Sequence, residues 1–368
     1  MSPPSERLAG GREQRVLEII ETARAKRARF RDERITLAHG AGGKATQTLI
    51  EGLLAPAFAK PGGTLAELGD AGVVELAGTR LAMTTDSFVV KPLRFPGGSI
   101  GELAVNGTVN DLAVSGARPL ALTVSLILEE GLDSEVLRAE TQAIAAAAAT
   151  AGVEIVAGDT KVVERGAADG MYICTTGIGA LDPRGRLSST VIAAGDRILL
   201  SGPIAEHGTA IMLARNQFEL DASIESDTCS LWPAVDALLE AAGFDLHCMR
   251  DATRGGVASA LNELARAAGV SISVREAAVP VAAVVAAAAE LLGIDPMYVA
   301  NEGRLVAFVA PEGAQTALEA LRAVPGCEEA ALIGEVTAEP AGMVLVETSF
   351  GGRRVMDQLV GDPLPRIC

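Results

Sequence analysis

Apolar residues along this chain switch between a period of two and a helical period without settling into a repeating strand–helix–strand rhythm. Runs of β type fall at 72–76, 80–84, 120–128, 154–157, 172–179, 197–200, 271–274, 305–309 and 343–347. Helical spacing holds over 103–115, 134–151, 209–215, 231–242, 257–268 and 312–323. A doubly wound parallel sheet needs a regular alternation of the two. The mixture predicts instead an α/β chain of the layered α+β kind. The turn-rich stretch LDPRGRLSS (181–189) divides the pattern into halves of similar make-up. The expected organisation is a charged extension at 1–34, mixed domains at 35–180 and 181–345, and a tail at 346–368.

Composition narrows the function. Of 368 residues, 49% are hydrophobic but only 3% aromatic, so the cores must be built from Ala, Val, Leu and Ile. No apolar run reaches membrane-spanning length, about 18 residues, and residues 1–15 lack the apolar centre of a signal peptide. The net charge of −16 disfavours nucleic acid. Residues 1–34 carry nine Lys/Arg against six Asp/Glu, a local excess of +3, with a charge-dense helix-prone stretch at 13–33 that reads as a solvated appendage. The five cysteines include no CxxC pair and only three histidines accompany them, so zinc is not expected and reduced cytosolic thiols are.

Four aspartates stand in distinctive surroundings: TTDS (Asp86), VNDL (Asn110, Asp111), AGDTK (Asp159, Thr160, Lys161) and MRDATRGG (Asp251). Asp86 and Asp159 follow strand-like runs, and Asp111 interrupts an apolar helical stretch, where a charge is costly unless paired or metal-bound. Any one of them alone is equally a cap or turn residue. Converging carboxylates suit Mg²⁺, which takes oxygen ligands and shares them with phosphates. HGAGGK (Gly42, Gly43, Lys44) lacks the spacing of a Walker A loop, yet such a turn can wrap phosphate through its N–H groups.

These motifs, together with TTDSFVVKPLRFPGG, GELAVNGTVNDLAVSGARP, RDATRGGVASALNELA, ANEG (300–303) and the terminal PRIC (365–368), resemble the HypE family of hydrogenase maturation factors over residues 35–368. The resemblance implies two domains of the aminoimidazole ribonucleotide synthetase-like type, a homodimer, and ATP with Mg²⁺ in a cleft between domains and subunits. It implies ATP-dependent dehydration of a carbamoyl group carried on the C-terminal cysteine to a thiocyanate, the source of the cyanide ligands on [NiFe]-hydrogenase iron. The implied partners are the carbamoyltransferase HypF and the HypC–HypD complex. Where the family has proline at 252, this chain has alanine.

The chemistry accounts for these residues. A thiol carries a transferable one-carbon group because thiolate is a good nucleophile, and Pro363 and Pro365 favour an extended arm. Seven residues reach at most about 25 Å. The resemblance assigns Cys368 as carrier, Asp86, Asp111, Asp159 and Asp251 as metal and phosphate ligands, and Lys44, Gly42, Gly43, Asn110 and Thr160 as nucleotide-binding. Lys161 is the candidate for phosphoryl or oxyanion stabilisation and Glu302 for general base. Cys174 reads as buried packing. Two rival readings keep part of this: a small-molecule kinase or synthetase of the same superfamily, and a carrier without catalysis.

Overall fold

A computed structural model describes residues 29–59, 69–215, 223–360 and 368. Most of the extension at 1–34, and the proline arm at 361–367, lie outside the described residues. The strands are β1 (Gly72–Leu76), β2 (Thr79–Phe88), β3 (Arg94–Phe95), β4 (Gly98–Ser99), β5 (Ala117–Glu129), β6 (Glu154–Val163), β7 (Met171–Leu181), β8 (Arg197–Leu200), β9 (Leu246–Asp251), β10 (Ser271–Arg275), β11 (Leu305–Val309), β12 (Ala331–Thr337), β13 (Val344–Glu347) and β14 (Arg353–Val355). The helices are α1 (Lys44–Leu49), α2 (Ile100–Val114), α3 (Ser134–Ala151), α4 (Glu206–Ala214), α5 (Trp232–Ala242), α6 (Gly256–Ala268), α7 (Ala283–Leu292) and α8 (Ala314–Arg322).

Two sheets organise them, in the orders β1-β2-β7-β5-β6 and β14-β13-β10-β12-β8-β11-β9. In the first, β7 alternates strictly, with Met171, Ile173 and Thr175 turned inward. That alternation marks a sheet covered on one face only; α2 and α3 supply the cover. β5 and β6 pair in parallel across α3, and the other pairings in this sheet are antiparallel. In the second sheet the central strands are apolar on both faces. Val306 and Phe308 of β11 join the core with α6, whereas Leu305, Ala307 and Val309 join the one with α5 and α8.

α2 touches β2, β5 and β7 on one side and β9 and α5 on the other. Nearly every residue of it is buried, as expected of a helix that is apolar all round. It therefore carries its few polar residues into the seam between the sheets. Ser99 caps its N-terminus by accepting from the Glu102 N–H, and the buried Glu140 of α3 accepts from the Gly101 N–H at 3.0 Å.

Two strands run further than their apolar residues suggest. β2 extends past Asp86, and β6 past Asp159, because ladder bonds to neighbouring strands hold polar residues in register. Both aspartates thus sit within strands rather than at their ends. The chain also stays folded beyond residue 346. Arg353–Val355 pairs with β13, Met356 is fully buried, and Gly351 and Gly352 form the hairpin turn.

Candidate active site

Asp70, Asp111 and Asp251 come together in the seam, each offering an oxygen within 4.8 Å of the others. Asp251 ends β9, Asp111 projects from α2, and Asp70 stands just before β1. The Thr84 hydroxyl lies 2.7 Å from Asp111 Oδ2, and Arg250 Nε lies 3.0 Å from Asp70 Oδ2. Burial, then the surrounding carboxylates, hold the Asp111 carboxyl well above the usual range. The same two causes raise Asp251, with Arg250 opposing. Such a cluster keeps protons or takes a cation. An all-oxygen set of this charge fits a hard divalent ion such as Mg²⁺.

Around it stand Asp86 of β2, Glu302, Arg254 and Cys368. Arg254 lies 4.0 Å from Asp86 and donates to the Gly40 carbonyl at 3.1 Å. Glu302 is 3% exposed, its Oε1 has no hydrogen-bond partner, and its carboxyl is raised well above normal by burial, then by Asp251, Asp86 and Asp227. Cys368 is half-buried against the core below α2. Burial pushes its thiol up to about 12, with Arg254 opposing and Glu302, Asp86 and Asp251 adding to the rise. The terminal thiol therefore sits within the electrostatic reach of the carboxylates.

The glycine turn flanks this group. Gly42 has φ +76°, and a Cβ on it would meet the Arg254 carbonyl at 2.7 Å, so the turn lies directly against the start of α6. The Ser259 hydroxyl donates to the Gly42 carbonyl at 3.0 Å. A cavity of about 490 Å³ opens beside it, lined by Gly42, Gly43, Gln47, Arg250, Glu263 and Arg266 among others. Through Arg250 it adjoins the aspartate cluster. Lys44 points elsewhere, bonding Asp357.

The structure separates the rest of the sequence-derived set. Asp159 pairs in register with Ser125, Ser125 with Cys174, and Cys174 with Ser87. Side chains alternate along strands, so Asp159 faces away from the side that Asp86, one residue before Ser87, shares with α2. Lys161, two residues on, bonds Asp159 at 2.5 and 2.8 Å, and Thr160 lies on the same exposed strand. Cys174, expected in the core, is half-buried on the open face, 3.8 Å from the Thr85 hydroxyl, because its partners in register place it there. Asn110 is 1% exposed and spends its whole amide on the protein: Nδ2 donates to the Cys229 and Glu302 carbonyls, and Oδ1 accepts from the Leu231 N–H. Asp70 was not legible as a ligand. It stands in LGDAG, outside the motifs that single out the other four.

Known proteins share the two-domain fold. Residues 68–181 match the N-terminal domain, and residues 193–347 the C-terminal domain, of AIR synthase related proteins. Carbamoyl dehydratase HypE of Rhodobacter capsulatus is 48% identical over 340 residues, covering 92% of this chain and 99% of its own. The chain belongs to the HypE carbamoyl dehydratase family. HypE of Escherichia coli is 46% identical, covering 91% of this chain and 99% of its own. Among solved structures, a HypE–HypF complex superposes with a TM-score of 0.80 at 42% identity, covering 84% of this chain and 99% of that one. HypE in complex with ATP superposes with a TM-score of 0.75 at 45% identity, covering 91% and 100%. The two mixed α/β domains are those of this family. No helix among the described residues is long and apolar enough to cross a membrane.

Proposed function

We propose that this member of the HypE family carries a carbamoyl group on Cys368 and, using ATP, dehydrates it to a thiocyanate that supplies cyanide ligands for [NiFe]-hydrogenase iron. The observation that carries this reading is the seating of the last residue beside Glu302, Arg254, Asp86 and Asp251, next to three clustered carboxylates.

Removing water from S–C(=O)–NH₂ requires an oxygen to leave, and oxide is too basic to do so. Transfer of the ATP γ-phosphoryl group to the carbamoyl oxygen, with loss of one N–H proton, gives S–C(OPO₃)=NH. Loss of phosphate and of the second N–H proton then gives S–C≡N. Glu302 suits the proton transfers. Its raised basicity and unbonded Oε1, within electrostatic reach of the carrier thiol, support that role. Arg254 supplies positive charge where phosphate and oxyanion build up. Asp70, Asp111, Asp251 and Asp86 would hold Mg²⁺, which offsets triphosphate charge when bound. The cavity beside Gly42 and Gly43 is of a size for a nucleotide.

Asp159, Thr160 and Lys161 enter through self-association. Val74, Leu76 and Met83 are exposed on the face that α2 and α3 leave bare, and β6 closes the sheet as an exposed edge. Such an apolar face and edge fit a second copy of the chain, and the Asp159–Lys161 pair then faces the partner subunit. HypF as carbamoyl donor and HypC–HypD as acceptor follow from the family. None of the five cysteines is in a disulfide, which fits a thiol carrier working in a reducing cytosol.

Mass spectrometry of the C-terminal peptide after incubation with the carbamoylating partner tests the reading. The expected result is a gain of about 43 Da, followed by a loss of about 18 Da only with ATP, as the reaction's atoms require. A small-molecule kinase would leave the peptide unmodified. A passive carrier would keep the 43 Da adduct whether or not ATP is present.

A further inference from the structure

Glu302 is held from both ends of its peptide, by two residues that the chemistry above does not use. Asp227, whose side chain is fully buried, accepts from the Glu302 N–H at 3.1 Å and from the Gly303 N–H at 3.2 Å. Asn110 donates to the Glu302 carbonyl at 3.2 Å. Asp227 is itself fixed. Arg304 Nε stands 3.7 Å from its carboxylate, and Arg304 is anchored to Glu206 at 2.9 Å and to the Pro203 carbonyl at 2.8 Å. The two loops touch backbone to backbone, since a Cβ on Gly303 would meet the Asp227 carbonyl oxygen at 1.9 Å.

We infer that Asp227, acting with Asn110, is a positioning residue that locks the Glu302 main chain so that only the carboxyl is left to face the carrier sulfur. This deepens the reading above and rests on Glu302 being the base. The geometry gives it physical content. A buried carboxylate bridging two consecutive N–H groups is costly to seat unless fully bonded; here both oxygens are used on the peptide units at Glu302 and Gly303. The same loop is tied to α2, because Asn110 also donates to the Cys229 carbonyl at 2.9 Å and accepts from the Leu231 N–H at 2.7 Å. The base and Asp111, one residue after Asn110, are therefore set by one helix. Proton transfer depends steeply on placement, and a shift of about 1 Å can cost on the order of 100-fold.

The test is a double-mutant cycle on the purified full chain, pre-carbamoylated on Cys368 and followed in single turnover by mass spectrometry. The variants are Asp227→Asn, Glu302→Gln and both together, with Asn110→Ser as an independent probe of the same clamp should the Asp227 variant not fold. ATP affinity is measured in parallel by calorimetry. The expected result is a dehydration rate lowered roughly 10- to 100-fold by Asp227→Asn or Asn110→Ser, with ATP affinity within about twofold of the parent, and no further loss when either is added to Glu302→Gln. A loss undiminished in the Glu302→Gln background overturns the positioning role while leaving the base in place. Full activity of Glu302→Gln alone overturns the base and this inference with it. A matched fall in ATP affinity also overturns the inference, since it marks general damage to the seam.

Discussion

Lys44 is tied to the base of the tail: its Nζ lies 2.7 Å from Asp357 Oδ2, and its backbone N–H donates to the Leu359 carbonyl at 3.1 Å. The lysine that the resemblance assigns to the nucleotide is thus engaged by the segment that leads to Cys368. For Lys44 to reach a nucleotide phosphate it must give up Asp357, so the two should compete for one ammonium group. The pair is partly exposed, which limits its worth to about 0–1 kcal/mol. Asp357→Asn should therefore tighten ATP by up to about fivefold, while Lys44→Ala should weaken it. Calorimetric titration of both variants decides the matter, and an Asp357→Asn chain that binds ATP more weakly than the parent would refute the competition.

The aspartate cluster should destabilise the metal-free protein. Asp111 has its acidity lowered by burial and by Asp251, Asp70 and Asp86. A carboxylate whose folded pKa lies above its unfolded value favours folding least at high pH, because the unfolded chain ionises first. Asp111→Asn should thus raise the melting temperature in EDTA, by about 1–2 °C for each kcal/mol of relieved repulsion. The gain should shrink as the pH falls toward the ordinary carboxylate range. With Mg²⁺ added the order should reverse, the parent gaining more than the variant. Scanning calorimetry at pH 5 and 8 reads both effects; equal Mg²⁺ stabilisation of the two chains would exclude Asp111 as a ligand.

Cys368 should react as a seated thiol. With the docked thiol pushed up to about 12 from an ordinary value of 9.0, docking is independent of pH below about 9 and weakens about tenfold per unit above it. At pH 8 the docked thiol should be alkylated by iodoacetamide at least about tenfold more slowly than free cysteine. Carbamoylation then requires the tail to leave the seam. A rate equal to that of free cysteine would mean that the thiol is not held there.

The bare face of the first sheet should carry self-association. Met83, 43% exposed there, replaced by glutamate would place a charge in that contact, which is strongly unfavourable when unpaired. Light scattering should find a dimer for the parent and a monomer for Met83→Glu, with dehydration lost because Asp159 and Lys161 no longer meet a partner. A monomeric variant of full activity would remove those two residues from the reaction.

The alternation of β7, the largely apolar α2, the all-apolar β11, and the turns that separate them are local patterns, so the fold class and most elements were legible in order. Asp86, Asp111, Asp251, Glu302 and Cys368 were legible as candidates, because their motifs keep their spacing however the chain is arranged. Which of them meet was not. The sequence contains no sign that Asp70 completes the cluster, since it approaches Asp111 and Asp251 only through the packing of β1, α2 and β9. Asp159 carries as distinctive a motif as Asp86, yet strand register turns it to the other face of the sheet. Asn110 lies in a motif that resembles a ligand site, and only the meeting of α2 with the loops at 227–231 and 302–303 spends its amide on the protein. Residue chemistry is a property of the chain; side-chain face and partner depend on pairing between segments far apart in sequence, and that is decided by tertiary packing alone.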